Sequence, residues 1–480
     1  MKQYGHFING ETVAPGSGEW LDVIDPSTGE PWAQIAAGNA ADINRAVTDA
    51  RTAFDQGPWG QSSAAERSRL LLELSRVVAG EVEMLAAIES RDTGKPIRQA
   101  RADAQALARY FEYYGGAADK LHGQTLPYQT GYSVMTVREA HGVTGHIVPW
   151  NYPMQIFGRS VGAALAVGNA CVVKPAEDAC LSLLEVARLA SRCGLPAGAL
   201  NIVCGTGVAA GAPLAAHPDI DHISFTGSGP TGRLVAEAAA ARHSPVTLEL
   251  GGKSAQLVFA DADLDAALPV LVNAITQNCG QTCSAGSRVL VERTVYEAVI
   301  ERLGKAFGEL VSAPGNEDRD LGPLINARQL ARVRQFVADA RRDGIRVVAT
   351  GRIAEQAPRG GYYQPAVLFA DVPPDHALAQ QEVFGPVLAV MPFDTEEQAV
   401  ALANGTPYGL IAGVWTRDGA RQLRVARTLR CGQVFINNYG AGGGVELPFG
   451  GVKHSGYGRE KGFEALYGFT TLKTIAIRHG

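Results

Sequence analysis

Between Gly142 and Ala260 short apolar runs alternate with stretches whose apolar residues return every three or four positions. The runs GHIVPW, ACVVKP, LNIVCG, HISFTG, VTLEL and AQLVF read as strands, and MQIFGRSVGAALAVG, LSLLEVARLASRCG and TGRLVAEAAAARH, among the segments between them, read as helices. This is the pattern of βαβ units on a parallel sheet. Upstream, Leu71, Leu74, Val78, Val82 and Leu85 recur at spacings of three and four, which predicts one long amphipathic helix packed on that sheet. After Leu264 a second alternation begins: AALPVLVNAITQN, TVYEAVIERLGKAFGEL and ARVRQFVADARRDG are helical, while SRVLVE and IRVVATG are strands. The expectation is a second α/β lobe.

Length agrees, because 480 residues exceed what one core accommodates and imply two or three lobes with clefts between them. A composition 46% hydrophobic and 19% charged is that of a globular protein. A net charge of −5 without a Lys/Arg run argues against nucleic acid and leaves small molecules as ligands. The opening MKQYGHFINGE has no apolar signal core, and SVGAALAVGNACVV is too short and interrupted to span a bilayer, so a cytoplasmic chain without a membrane partner is expected. Seven cysteines, an odd number, predict free thiols rather than a disulfide framework. GAGGGVELPFGG near the end is a glycine-rich loop of the kind that lines a cavity.

HISFTGSGPTGRL places Gly227, Gly229 and Gly232 in a G-x-G-x-x-G pattern between a predicted strand and a predicted helix. Glycines there let the backbone approach a pyrophosphate at the helix N-terminus, the alternative being an ordinary βα turn. The same fingerprint wants an acid roughly 20 residues on for the ribose, and Glu249 lies there. Its apolar neighbours Leu248 and Leu250 also suit a general base, so both readings stand. Farther on, QNCGQTCSAG carries Cys279 and Cys283. A metal clip needs about four ligands, and the nearest histidines, His243 and His376, are distant; a C-x-x-C redox pair has another spacing. Cys279, one helical turn before Cys283, reads as a packing residue; Cys283 taken alone reads as an inert buried thiol or as a nucleophile, and a regulatory disulfide between the two is a further open alternative.

Taken together, VPWNYP, KPAE, FTGS, LELGGKS, GQTC, EVFGPV and PFGGVKHSGYGRE, in this order, with FINGE and DPSTGE before them and TTLKTIAIR after, resemble the NAD(P)-dependent aldehyde dehydrogenase superfamily. The resemblance covers nearly the whole chain. It implies a Rossmann-type cofactor domain (residues 1–118 and 140–251), an α/β catalytic domain (252–454) and a small β oligomerisation extension (119–139 and 464–480) that makes a homodimer or homotetramer. It implies further that Cys283 attacks the aldehyde carbon, that Asn151 and the Cys283 N–H hold the oxyanion, and that Glu249 activates the water that hydrolyses the thioester. Rivals are a CoA-acylating relative, which typically lacks that glutamate, and a silent structural homologue.

For the cofactor the resemblance puts Trp150, Lys174 and Glu177 at the adenosine end, with Lys174 also counted among the catalytic residues. Gly207, Gly211 and Ser228 fall at the phosphates, and Glu382 and Phe384 at the nicotinamide ribose. Ile147, Val148, Phe225, Thr226, Gly227 and Leu250 complete the site. Glu177 would bind both ribose hydroxyls and repel a 2′-phosphate, so NAD is expected over NADP, and Glu249 is released for chemistry. The aldehyde tunnel would be lined by Tyr152, Ile156 and Arg159, by Gln277, Thr282 and Ser284, and by the loop from Tyr439 to Glu446 with Phe449. Arg159 matches a semialdehyde-oxidising subgroup and could pair with a carboxylate, although that subgroup's second arginine is Gln277 here; the alternative for Arg159 is a surface or interface charge. The sparse loop would admit a bulky or aromatic aldehyde, and Glu446 would favour a cation.

Overall fold

The computed structural model describes residues 1–440 and 444–480; residues 441–443 of the glycine-rich loop lie outside the described residues. Five parallel strands, β1 (Val143–Val148), β2 (Ala170–Pro175), β3 (Leu200–Ile202), β4 (His222–Thr226) and β5 (Val246–Glu249), stand in the order β5-β4-β1-β2-β3. The antiparallel pieces Gly456–Tyr457 and His6–Ile8 pair with β5 and β3 at the two ends of that row. Every residue of β2 and β4 is buried, as in a sheet covered on both faces. From β1 the chain runs outward through β2 and β3, then returns to the other side of β1 at β4. That reversal opens a crevice at the carboxyl ends of β1 and β4, the place where open α/β sheets bind ligands.

Helices α1 (Ala64–Gly80), α2 (Val82–Thr93), α3 (Ile97–Ala117) and α4 (Pro153–Ala166) pack beside this sheet. The single helix expected from Leu71 to Leu85 is two, because after Gly80, a poor helix former, Glu81 leaves helical geometry at φ −108°, ψ 15°. Leu71, Leu74 and Val78 are buried from α1 and Leu85 from α2. Moreover α1 packs chiefly on other helices, α3 and α4 among them.

The second lobe has strands β6 (Ala255–Val258), β7 (Arg288–Glu292), β8 (Arg346–Thr350), β9 (Val367–Ala370), β10 (Val387–Phe393), β11 (Ile411–Trp415) and β12 (Gln433–Ile436). Their order is β8-β9-β10-β7-β6-β11-β12, parallel except for β8. β6 is AQLVF, so that run opens the second sheet and does not continue the first. Gly251 and Gly252 lie just before it, where the chain passes between lobes.

Helix α5 (Leu264–Thr276) leads toward Cys283 but stops early. Asn278, Cys279 and Gly280 are left-handed at φ 47°, 55° and 71°. Cys279 is therefore not on a helix with Cys283: the turn buries it in the second core, while Cys283 packs in a separate cluster with Leu410, Ile411 and Phe449. A third sheet pairs Tyr132–Ala140 with Thr470–Arg478 in continuous antiparallel register, Thr470 opposite Ala140 and Arg478 opposite Tyr132. Leu472, Ile475 and Ile477 on its outer strand are exposed in the single chain.

One buried polar cluster fixes the turn after β1. Gly94, left-handed at φ 78°, ends α2 and sets Lys95 inward. Lys95 Nζ donates to Glu89 Oε1 (3.1 Å), Asp103 Oδ2 (2.5 Å) and the Asn151 carbonyl (3.0 Å). Glu89 Oε2 accepts from the Met154 N–H (3.3 Å) and Asp103 Oδ1 from Gln155 Nε2 (2.6 Å). Burial opposes the ammonium, yet Asp103 and Glu89 together hold its pKa above the ordinary lysine value. Removing one partner from such a cluster leaves uncompensated buried charge. Lys95→Met should lower unfolding stability by about 3–5 kcal/mol in urea titrations; a loss under about 1 kcal/mol, the size of an exposed pair, would contradict this account of the turn.

Candidate active site

Two cavities meet at the crevice between the lobes. The larger, about 960 Å³, lies at the carboxyl ends of β1, β4 and β5. The smaller, about 260 Å³, lies between α4, α5 and the segment around Phe449. Among the described residues only Asn151 and Cys283 line both.

Cys283 reaches that junction through the left-handed turn after α5. Burial, opposed by the Arg159 charge, pushes its thiol up to about 12. Asn151 is held at both ends: its carbonyl accepts from Lys95 Nζ and from Asn278 Nδ2 (2.8 Å), and its own Nδ2 donates to the Gln281 carbonyl (3.1 Å). This uses one of the amide's two N–H groups, leaving the other available to an acceptor in the cavities that Asn151 and Cys283 share.

Glu249, the last residue of β5, lines the larger cavity only. It is 1% exposed, and neither carboxylate oxygen has a hydrogen-bond partner among the described residues. A Cβ on Gly450 would stand 2.8 Å from Glu249 Oε1, so a glycine there leaves room for the acid. Burial, opposed by Arg159 and reinforced by Glu460, raises its pKa well above the ordinary glutamate value. Glu382 is treated similarly across the cavity. Gly251 leaves it space, the Gly252 N–H donates to Oε1 (3.0 Å), and burial outweighs that bond and Lys253 to bring its pKa to about 7.

Of the residues expected at the cofactor, Trp150, Thr226, Gly227, Ser228, Leu250, Glu382 and Phe384 line the larger cavity. Phe384, at φ 59°, turns its ring edge-on to Trp150 with centroids 5.4 Å apart. Ser228 caps the twelve-residue helix Gly229–Ala240 whose N-terminus faces this space. Within the glycine pattern, a Cβ on Gly227 would strike Phe225 at 2.6 Å and one on Gly232 would strike Leu250 at 2.6 Å, whereas Gly229 is open. Ile147, Val148, Lys174, Glu177, Gly207, Gly211 and Phe225 do not line it. Ile147 and Val148 belong to β1 and Phe225 to β4, while Lys174 and Glu177 follow along the same sheet edge at the end of β2, paired at 3.1 Å. Gly207 and Gly211 bound the turn after β3. A cavity of this size at the switch point, with a capped helix N-terminus and a carboxylate, fits a dinucleotide.

Tyr152, Ile156, Arg159, Gln277, Thr282, Ser284, Tyr439 and Phe449 all line the smaller cavity. The Tyr152 hydroxyl meets Thr282 Oγ1 at 2.9 Å, and the Tyr439 hydroxyl donates to the Ser284 carbonyl at 2.6 Å. Arg159 is no surface charge: it is 6% exposed, its Nε pairs with Glu460 and its Nη2 donates to Thr226 Oγ1 (3.1 Å). Glu446 pairs with Arg109 at the surface and does not line the cavity. Sequence reasoning missed Glu89, Lys95 and Asp103 behind Asn151, and Glu460 and Lys461 beside Arg159. The only sequence signal for Glu460 was its place in GYGRE, and for Lys461 the residue after it.

A sequence model of the Aldehyde dehydrogenase family matches residues 13–475. The chain is 43% identical over 472 residues, 98% of its length and 87% of the relative's, to the mitochondrial aldehyde dehydrogenase family 2 member B4 of Arabidopsis thaliana. Among solved structures it resembles a putative aldehyde dehydrogenase from Burkholderia cenocepacia (71% identity, TM-score 0.99, 99% of this chain and 100% of that one). It also resembles the NAD+ complex of an aldehyde dehydrogenase from Bacillus cereus (39% identity, TM-score 0.96, 100% and 97%). No described helix is long and apolar enough to cross a membrane. The chain therefore belongs to the aldehyde dehydrogenase family and is an oxidoreductase of that fold.

Proposed function

We propose that this chain oxidises an aldehyde to its carboxylic acid with NAD and releases the product by hydrolysis. The observation that carries the reading is the junction: a thiol and an amide are the groups common to the two cavities, one sized for a dinucleotide and one for a small molecule. In this reading Cys283 Sγ, having lost its proton, bonds to the carbonyl carbon of an aldehyde in the smaller cavity, and the Asn151 amide stabilises the resulting oxyanion. NAD, which residues of the larger cavity such as Glu382 and Ser228 would hold, would supply the acceptor for the hydride on this carbon. The thioester on Cys283 is then cleaved by water. Glu249 removes the water's proton, the C–S bond breaks, and the thiolate is regenerated.

The presence of Glu249 in the larger cavity, which Cys283 also lines, supports hydrolysis over transfer to CoA. Tyr152, Phe435, Tyr439 and Phe449 around the smaller cavity support an aldehyde with a bulky or aromatic body. Glu177 supports NAD over NADP, since its carboxylate at the end of β2 accepts hydrogen bonds from ribose hydroxyls and repels a 2′-phosphate.

Two outcomes follow. A buried acid of raised pKa becomes a base only as pH rises through that value, so steady-state turnover should fall as pH is lowered through it. Glu249→Gln should cut turnover by about 10²–10⁴ and remove this acid limb; a variant within about tenfold of the parent would end the general-base assignment. For the cofactor, kcat/KM should be roughly tenfold or more higher with NAD than with NADP, and Glu177→Gln should narrow the gap. Equal or better use of NADP by the parent chain would contradict the role given to Glu177.

A further inference from the structure

Helix α3 approaches α4 along two glycines. A Cβ on Gly158 would stand 2.8 Å from Tyr110 Cδ2, and one on Gly162 would stand 3.1 Å from Tyr114 Cδ2, so the missing side chains let both rings lie against α4. The rings stack on each other, centroids 6.3 Å apart and planes 14° from parallel. Both residues are buried, Tyr110 at 1% exposure and Tyr114 at 0%. Their hydroxyls have different surroundings: that of Tyr114 is sealed in the core without a partner, whereas Tyr110 lines the smaller cavity beside Ile156 and Arg159.

Among the described residues three tyrosines line this cavity. The hydroxyl of Tyr152 is joined to Thr282 and that of Tyr439 to the Ser284 carbonyl. The hydroxyl of Tyr110 has no hydrogen-bond partner among the described residues; what acts on it is charge, first that of Arg159 and then that of Glu460. Burial, opposed by Arg159, raises its pKa above the ordinary tyrosine value, so it keeps its proton and stands as a donor. Two polar neighbours have acceptors already: Arg159 is engaged with Glu460 and Thr226, and Gln155 Nε2 donates to Asp103. A buried hydroxyl without an acceptor is costly. An oxygen on a ligand in the cavity would remove that cost, and an apolar group of the same size would not.

We propose that Tyr110 is a specificity-determining residue of the aldehyde cavity, donating a hydrogen bond to an oxygen on the body of the substrate, away from its aldehyde. The inference rests on the dehydrogenase reading above and narrows its substrate class to aromatic aldehydes whose ring carries a hydroxyl or ether oxygen. The aromatic side chains of the wall take the ring, and Tyr110 takes the oxygen.

The test is a kcat/KM panel with NAD on size-matched pairs of benzaldehydes substituted at the 3- or 4-position: hydroxy against methyl, and methoxy against ethyl. Ring electronics alter the parent's preference within a pair, so the readout is the change in each ratio on Tyr110→Phe, which removes the hydroxyl alone. At one ring position the variant should lose about fivefold or more for both oxygenated members, while their apolar counterparts change less than about twofold. Its thermal unfolding midpoint should stay at or above the parent's, because the hydroxyl has no protein bond to lose. Ratios that stay within about twofold of the parent's at both positions, a loss shared by the apolar members, or a lowered midpoint would overturn the proposal and leave aldehyde oxidation standing. A loss confined to the hydroxy members would overturn it too, since a methoxy oxygen can only accept. Oxidation of no member of any pair would remove the dehydrogenase reading, and this inference with it.

Discussion

The Asn151 carbonyl oxygen joins the two lobes where the two cavities meet. It accepts from Lys95, held between α2 and α3 of the first lobe, and from Asn278 in the left-handed turn of the second. The turn is tied in further: the Asn278 N–H donates to Gln99, and Gln281 Oε1 accepts from the Ile325 N–H. Because Asn151 and Cys283 sit on the two sides of this clasp, their relative position depends on buried hydrogen bonds rather than on loop flexibility. A charged cluster is a costly support. On the proposed reading its value lies in geometry, since an amide that is to face a developing oxyanion has to be placed before the charge appears.

The electrostatics of the site follow from burial more than from charge pairing. Glu249 and Glu382 line one cavity, in spaces that Gly450 and Gly251 leave open. Both carboxyls are raised by burial, as is the Cys283 thiol. Such groups are poor in their charged forms and correspondingly strong as base or nucleophile once formed. Arg159 stands behind them, bringing positive charge close to sulfur and acid while Glu460 neutralises it from the far side.

The lobes and most of their strands were legible in the sequence because a parallel sheet buried on both faces writes short apolar runs, as ACVVKP and HISFT do. Boundaries were less legible. Nothing in the apolar spacing of 71–85 marks the break at Gly80, and AQLVF reads like one more strand of the first sheet although it begins the second. Cys283 and Glu249 were singled out through the family motifs GQTC and LELGGKS, since residue chemistry alone left each with a competing reading. The turn that separates Cys279 from Cys283 could not be read, since Asn278 and Cys279 adopt left-handed backbone that only Gly280 advertises. Lys95, Glu89, Asp103 and Glu460 were invisible for a simpler reason: in sequence a charged residue looks solvated, and their partners lie far along the chain or on another helix.

On the proposed reading Cys283 carries the acyl group at the junction, and Glu249 is needed to release it. Intact-mass spectrometry of Glu249→Gln, mixed with NAD and an aldehyde and quenched after one turnover, tests it most directly. The expected result is a gain equal to the aldehyde less two hydrogens, one leaving its carbon as hydride and one leaving the thiol as a proton, formed only when NAD is present and mapped by peptide digestion to Cys283. No adduct, or an adduct on Cys279 or another cysteine, would contradict it.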